Sequence, residues 1–524
     1  MARPGTEAAD AGPATAPKKP TPAPIRRERR PQRGDRRAWY LDAALLGVLA
    51  LAIRLPALFA SRALTFDEGV YGSAVLAMRD GARPFREIFS SQGPLQLPLL
   101  WLADAIGFRT LDAPRLLTVA LGVAVTVATY AIARRVASRG GAVLAGALVA
   151  TSGSLVWVTA PISGDGPAIA FAVTAVALAF AYRARPRTLR AVGVGLAMGA
   201  ALSIKLLVVP AAIPVGLLLL RRGRMRGLAA AVGSAVAVFL AAALPWGLAN
   251  VWDQSVAFHQ HATRTDSYGG NAWRLVRTLC ERDVLLTIVS VAALSAWVIA
   301  RLARNRAARV PAGVAAGADP PDRTGFATRT ARWLERPAGM FTLWLVVQAG
   351  LLVWEPQMWR PHVSEVIVPI ALLVALHPPP WRAVALVVVV ALPWCVVNVH
   401  TMLWPQPTPR DEADAIARIR ALPPGAWAIS DDPALVWRAN RRTPGNLVDA
   451  SIKRIQERQI TPKTVVHGAR LPQVCAVVVW SSRYGDFPTL PHLLAQAGYR
   501  VAAGYGGPRV FYEKRDCTDA HAVG

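Results

Sequence analysis

Residues 94–108 read PLQLPLLWLADAIGF, an apolar run interrupted by Pro94 and Pro98 and carrying a carboxylate at Asp104. How this run is read decides the topology of everything after it. A helix that crosses a bilayer needs roughly 20 apolar residues, fewer where neighbours cover its ends. About eleven other segments approach that length: 39–60, 115–133, 141–160, 166–182, 189–205, 206–220, 227–249, 283–301, 338–354, 364–377 and 382–403. If 94–108 also crossed, the three Arg clusters that follow would lie on the side opposite the basic N-terminus. If it lies along the interface, Arg134/Arg135/Arg139, Arg183/Arg185/Arg187/Arg190, Arg221/Arg222/Arg224/Arg226 and the Arg-rich 301–338 loop all join the N-terminus on one side. Lys and Arg near span ends resist translocation and collect on the cytoplasmic side, so the second arrangement is expected. It puts 61–114, the turn before Asp165, 250–282, 355–363 and everything after 403 on the outer face.

Composition agrees with a membrane class. The 524 residues are 53% hydrophobic and 17% charged, with a mean hydropathy of +0.33, outside the usual range of soluble domains. A net charge of +27 would suit a nucleic-acid partner, but the arginines sit in short runs between apolar stretches. Membrane lipids, and no nucleic acid, are the expected partners. Residues 1–38 hold ten Lys and Arg without an apolar period, as expected of a disordered cytoplasmic tail ahead of a start-transfer anchor. From residue 405 the composition shifts. DEADAIARIRAL and LPHLLAQAG read as helices, and AWAIS, VCAVVVW, YRVAAG and RVFYE as strands. The fold class expected is therefore an α-helical polytopic membrane protein of about 11 transmembrane helices over 39–404, with a C-terminal extracytoplasmic α/β domain over 405–524. Cys280, Cys395, Cys475 and Cys517 show neither zinc spacing nor a CxxC pair. Cys475 and Cys517 could pair if the C-terminal domain faces an oxidising compartment.

After the first span comes Leu64-Thr65-Phe66-Asp67-Glu68-Gly69-Val70-Tyr71. Two adjacent carboxylates in an otherwise apolar and aromatic segment are poorly hydrated, which raises proton affinity and suits a general base. The plainer reading is a solvated loop acid at a span end.

The order of first span, Asp67-Glu68-x-x-Tyr71, about 20 residues, Gln92-Gly93-Pro94-Leu95 and an apolar interfacial helix resembles the GT-C glycosyltransferases that use polyprenyl-phosphate sugars. Protein O-mannosyltransferases and lipid A aminoarabinose transferases are members. The likeness continues through Ser163-Gly164-Asp165-Gly166-Pro167, Ser203-Ile204-Lys205, Asp431-Asp432-Pro433 and Pro444-Gly445-Asn446-Leu447-Val448-Asp449. It departs at Gln92-Gly93-Pro94, where many relatives have Lys-Pro-Pro, so a lysine contact to the donor phosphate does not carry over. The resemblance implies a transferase that moves a sugar from a polyprenyl-phosphate donor to an acceptor hydroxyl on a glycan, lipid or protein, outside the plasma membrane of a bacterium. It leaves dependence on a divalent cation open.

In that reading Asp67 is the general base and Glu68 positions or tunes it, with Tyr71 among the substrate-binding residues. A lone carboxylate fits a single inverting displacement, since retention needs a second about 5 Å away. Asp165 is a candidate for that second acid, and equally for a helix cap before PAIAFAVTAVALAFAY. The leaving phosphate calls for cations, and Lys205, Arg360 and His362 are the candidates. Lys205 lies between apolar segments and needs a partner, either phosphate or Asp165, unless it snorkels. His259, His261 and Arg264 are substrate or metal ligands or merely solvated loop residues. Two other classes compete: a transporter or lipid flippase with Asp165 and Lys205 lining a pathway, and a catalytically silent scaffold presenting 405–524.

Overall fold

Residues 33–220, 225–307, 330 and 333–517 are described by the computed structural model. Most of the basic tail, Arg221/Arg222/Arg224 and most of the 301–338 loop lie outside the described residues. Contacts divide the chain into Met1–Leu41 and Asp42–Gly524, and the tertiary relations below are within the second unit. All eleven expected spans are helical. Among the described residues seven helices are long and apolar enough to cross a membrane: Arg36–Phe59, Ala113–Val136, Asp165–Ala184, Met225–Trp246, Val284–Ala303, Pro337–Trp354 and Trp381–Leu403. The number is eight if the bent pair α5 (Arg139–Thr151) and α6 (Gly153–Thr159), meeting at 58°, is one span. The expected spans at 189–205, 206–220 and 364–377 are shorter helices, Thr188–Ile204, Leu206–Leu219 and Ser364–Leu376.

The bend has a chemical cause. Ser152 accepts the Leu155 N–H at the start of α6, and Ser152 and Ser154 both donate to the buried Asp283 carboxylate. That carboxylate, in the break between the helices Tyr268–Arg282 and Val284–Ala307, also accepts the Ser154 N–H, one of the backbone groups freed by the bend.

The stretch that decides the topology forms α3 (Gln96–Ile106). Eleven residues rise only about 16 Å, roughly half the hydrocarbon core, so α3 does not cross alone. Its Asp104 is 1% exposed and accepts two bonds from Arg79, at 2.9 and 2.6 Å, near the end of α2 (Phe66–Arg79). The charge inside the apolar run therefore belongs to the contact between α2 and α3. Phe108 and Arg109, both at positive φ, turn the chain into α4 (Ala113–Val136).

Beyond the last span lies a four-stranded sheet of β1 (Trp427–Ser430), β2 (Val474–Val479), β3 (Tyr499–Gly504) and β4 (Val510–Lys514), in the order β1-β2-β4-β3. β1 runs parallel to β2, and the β2–β4 and β4–β3 pairs are antiparallel. β2 is buried throughout, with apolar clusters on both of its faces, which explains its unbroken VCAVVV. Cys475 at its start is disulfide-bonded to Cys517. This layer meets α2 through Pro433–Arg438, a short helix after β1. A Cβ at Gly69 would stand 2.5 Å from Ala434 N, and one at Gly72 2.5 Å from the Trp437 ring. No larger residue lets these backbones approach so closely.

Asp104→Ala leaves the Arg79 charge uncompensated and is expected to destabilise the detergent-solubilised chain by about 3–5 kcal/mol. The double variant with Arg79→Leu should recover much of that loss in thermal or denaturant unfolding.

Candidate active site

The site is built around the first turn of α2. Thr65 caps it by accepting the Glu68 N–H, which leaves the two acids in quite different surroundings. Glu68 is fully buried and bonded four times. Arg115 of α4 donates to both of its oxygens, at 2.7 and 2.8 Å, Leu64 N–H donates at 2.7 Å and Ile162 N–H at 3.0 Å. Burial alone would raise its pKa, but the Arg115 charge and these bonds hold it below the ordinary glutamate value. Arg115 also donates to the carbonyls of Ala57, Ala60 and Arg62. Glu68 thus joins α2, α4 and the turn before residue 165, with no lone pair to spare for a substrate.

Asp67, one residue earlier, has no ion-pair partner among the described residues and keeps surface accessible to solvent. Protein crowding desolvates its carboxylate, and the charges of Asp165 and Asp449 oppose ionisation. Lys205 and His362 counter them only in part, and the pKa is pushed up to about 6. Accessible yet poorly hydrated is the condition of a side chain that faces into a recess. Tyr71, one turn on, is buried, and burial together with Asp67, Asp165 and Asp449 raises its phenol well above the ordinary value. It keeps its proton as a donor.

The three short motifs that follow are brought together by backbone bonds. Gly93 N–H donates to Ile204 O and Leu95 N–H to Ser203 O, both at 2.9 Å, while the Gln96 amide donates to Ser163 O at 3.0 Å. A Cβ on Gly93 would stand 2.3 Å from Ser203 O, so glycine is required for this seam. On its far side Lys205 Nζ meets Asp165 Oδ1 at 2.6 Å. Lys205 sits in extended conformation in the break after α8 (Thr188–Ile204), which frees its side chain from any helical stripe. Asp165 begins α7 (Asp165–Ala184) without capping it. Ser163 takes that part, accepting the Gly166 N–H, and Asp165 remains available to the lysine.

His362 faces the same region. Its Nδ1 is 2.7 Å from Glu355, and its charge acts on both Asp67 and Asp165. Arg360 turns elsewhere, 3.2 Å from Glu281. His259 Nε2 donates to Ser91 O, Arg264 binds the Trp354 carbonyl and covers the Tyr268 ring, and His261 is exposed. Sequence reading singled out neither Arg115, the partner of Glu68, nor Glu355 and Asp449 as members of this charge cluster. Asp449 at least closes a quoted motif, whereas Glu355 follows an ordinary span end and carries no local signal. Among the described residues no group of three or more His, Cys, Asp or Glu is placed to hold a metal ion.

Solved structures of membrane proteins share this order of helices and terminal α/β layer over nearly the whole chain. ArnT from Cupriavidus metallidurans in the apo state matches with a TM-score of 0.59 at 15% identity, covering 91% of this chain and 98% of that one. The same protein bound to undecaprenyl phosphate gives 0.58 at 14%, covering 90% and 97%. The oligosaccharyltransferase AglB from Archaeoglobus fulgidus, in complex with an inhibitory peptide and a dolichol-phosphate, gives 0.52 at 12%, covering 93% and 75%. At such identities the likeness is one of fold. No family model matches the chain, and no curated protein matches it.

Glu68→Gln removes the charge that balances Arg115 while keeping the side-chain volume. It is expected to cost about 3 kcal/mol, read as a lowered melting temperature, with Glu68→Gln/Arg115→Met less destabilised than the single variant.

Proposed function

We propose that this protein is a membrane glycosyltransferase that moves a sugar from a polyprenyl-phosphate donor to an acceptor hydroxyl, with inversion, and that Asp67 is its general base. The observation that carries this reading is the pairing of an accessible carboxylate of pKa about 6 with a neighbouring Lys205–Asp165 pair in a fold shared with a protein crystallised with undecaprenyl phosphate. Asp67 accepts the proton of the acceptor hydroxyl as its oxygen attacks the anomeric carbon. The bond from that carbon to the lipid phosphate breaks, and its electron pair leaves on phosphate. Asp165 is engaged by Lys205, which leaves one acid for a single displacement rather than two for retention. Lys205 and His362 offer the leaving phosphate positive charge, and Tyr71 a hydroxyl donor.

The working face is the outer one, opposite the basic N-terminus of a bacterial plasma-membrane protein, with 1–38 as cytoplasmic tail, 39–404 as the catalytic membrane domain and 405–524 as the extracytoplasmic domain. The Cys475–Cys517 disulfide supports this placement, because such bonds persist in oxidising compartments.

Two outcomes follow. Asp67→Asn should leave insertion and melting temperature unchanged and abolish transfer from a polyprenyl-phosphate sugar; transfer at the wild-type rate would refute the assignment. A base works deprotonated, so the wild-type rate should be half-maximal near pH 6, fall about tenfold per unit below that, and level off above about pH 7.

A further inference from the structure

The lipid phosphate that leaves the sugar is a monoester and carries more charge than Lys205 can answer, because Asp165 at 2.6 Å already balances that lysine. Glu355 acts electrostatically on Lys205 and also on another cation, Lys453. Lys453 belongs to the C-terminal α/β layer, in the short helix Ile452–Gln456. It is half-buried, and no carboxylate lies within ion-pair distance of it among the described residues. Its ammonium donates instead to His259 Nδ1 at 2.9 Å and stands 4.7 Å over the Phe258 ring. The other His259 nitrogen donates to Ser91 O at 2.8 Å, the residue before Gln92-Gly93-Pro94. The ring is therefore neutral, its acceptor nitrogen held towards Lys453, and desolvation with the lysine's charge pushes its pKa down to about 4.

The charges of the two groups reach the site. Glu355 and Glu457 act on Lys453, Lys205 and Glu355 act on His259, and Glu355 also feels His362, Lys205 and Asp165. The adjacent Arg454 faces elsewhere, bonded to the carbonyls of Asn446 and Asp449 and stacked on Phe89. We infer that Lys453, oriented by His259, is a second phosphate-binding cation for the polyprenyl phosphate monoester released from the donor, delivered to the membrane site by the C-terminal layer. The inference rests on the transferase reading above. A half-buried lysine without a counter-ion is costly to the empty protein: burial pushes its pKa down to about 8. An arriving phosphate offsets that cost, and a charge-assisted bond of this kind typically contributes 10- to 100-fold in affinity, about 1.5–3 kcal/mol.

The test uses the full chain in nanodiscs and undecaprenyl phosphate as the probe. Lys453→Met should weaken binding by about 10- to 100-fold without lowering the melting temperature. Lys453→Arg should retain most of the affinity. Wild-type binding should decline as the pH rises above about 8, where Lys453 loses its proton. The arginine variant, charged throughout, should show no such decline. Phosphatidylglycerol, a phosphodiester, serves as control and should be indifferent to all three. Wild-type affinity in Lys453→Met overturns the assignment and leaves Asp67 as base intact, since Asp67→Asn tests that separately. Equal weakening towards phosphatidylglycerol overturns it in favour of a general anionic-lipid surface. If Lys453→Met does not fold, a wild-type affinity that stays flat from pH 7 to 10 overturns it. A wild-type chain that neither binds undecaprenyl phosphate nor transfers sugar from an undecaprenyl-phosphate sugar fails the transferase reading, and this subsite with it.

Discussion

The buried ion pair between Glu68 and Arg115 is the constraint on which the site depends. Neither partner is exposed, and removing two charges from water is expensive unless each receives a full set of bonds. Here each does: Glu68 takes two from Arg115 and two from backbone N–H groups, and Arg115 spends its remaining donors on three carbonyls between residues 57 and 62. Because the demand is so complete, only one relative position of the end of the first helix, α2, α4 and the turn at Ile162 satisfies it. Asp67 precedes Glu68 by one residue and Asp165 follows Ile162 by three. Fixing the inert acid therefore fixes the two ends of the reactive cluster.

Separate surroundings give neighbouring carboxylates separate uses. Glu68 has every lone pair engaged and a depressed pKa, so it can neither take nor give a proton near neutrality. Asp67 has accessible surface and a pKa of about 6, so about nine-tenths of it is ionised at pH 7 while it remains a stronger base than a fully hydrated aspartate. Two residues on one turn thus have separate surroundings, one bonded to Arg115 and one under the charges of Asp165, Lys205, Asp449 and His362.

Much of the fold was legible because bilayer-length apolar runs and period-2 strands leave local patterns. All eleven apolar segments became helices, and the strands of the terminal layer fall where VCAVVVW, YRVAAG and RVFYE placed them. The segments 189–205, 206–220 and 364–377 were read as spans, and they form helices shorter than those long enough to cross. Within the site, the Asp-Glu motif carried its own signal. Ser203-Ile204-Lys205 and Ser163-Gly164-Asp165 were weak singly, and it took backbone bonds from Gly93 and Leu95 and a side-chain bond from Gln96 to show why they accompany one another. Asp165 read as a helix cap because it precedes an apolar run, yet Ser163 two residues earlier satisfies that need. The parts that could not be read are pairings at long range. Arg115 looks like an ordinary span-end arginine, and Glu355 like an ordinary loop acid, until the fold sets each beside a residue far away in sequence.

The terminal layer belongs to the site for a steric reason as well as an electrostatic one. Gly69 and Gly72 lie on the face of α2 that meets Pro433–Arg438 at closest approach, Ser73 donates to Pro433 O, and Arg438 pairs with Asp112 at the start of α4. That contact buries the back of the helix whose front carries Asp67. It also brings Asp449 close enough to raise the proton affinity of Asp67, and Lys453 to the side of the loop holding His259. A layer that only decorated the membrane domain would not need two glycines to approach so closely. In the proposed reading, in which Asp67 is the base, the approach is explained if that carboxylate is tuned, and its helix held rigid, by a segment more than 360 residues later in the chain.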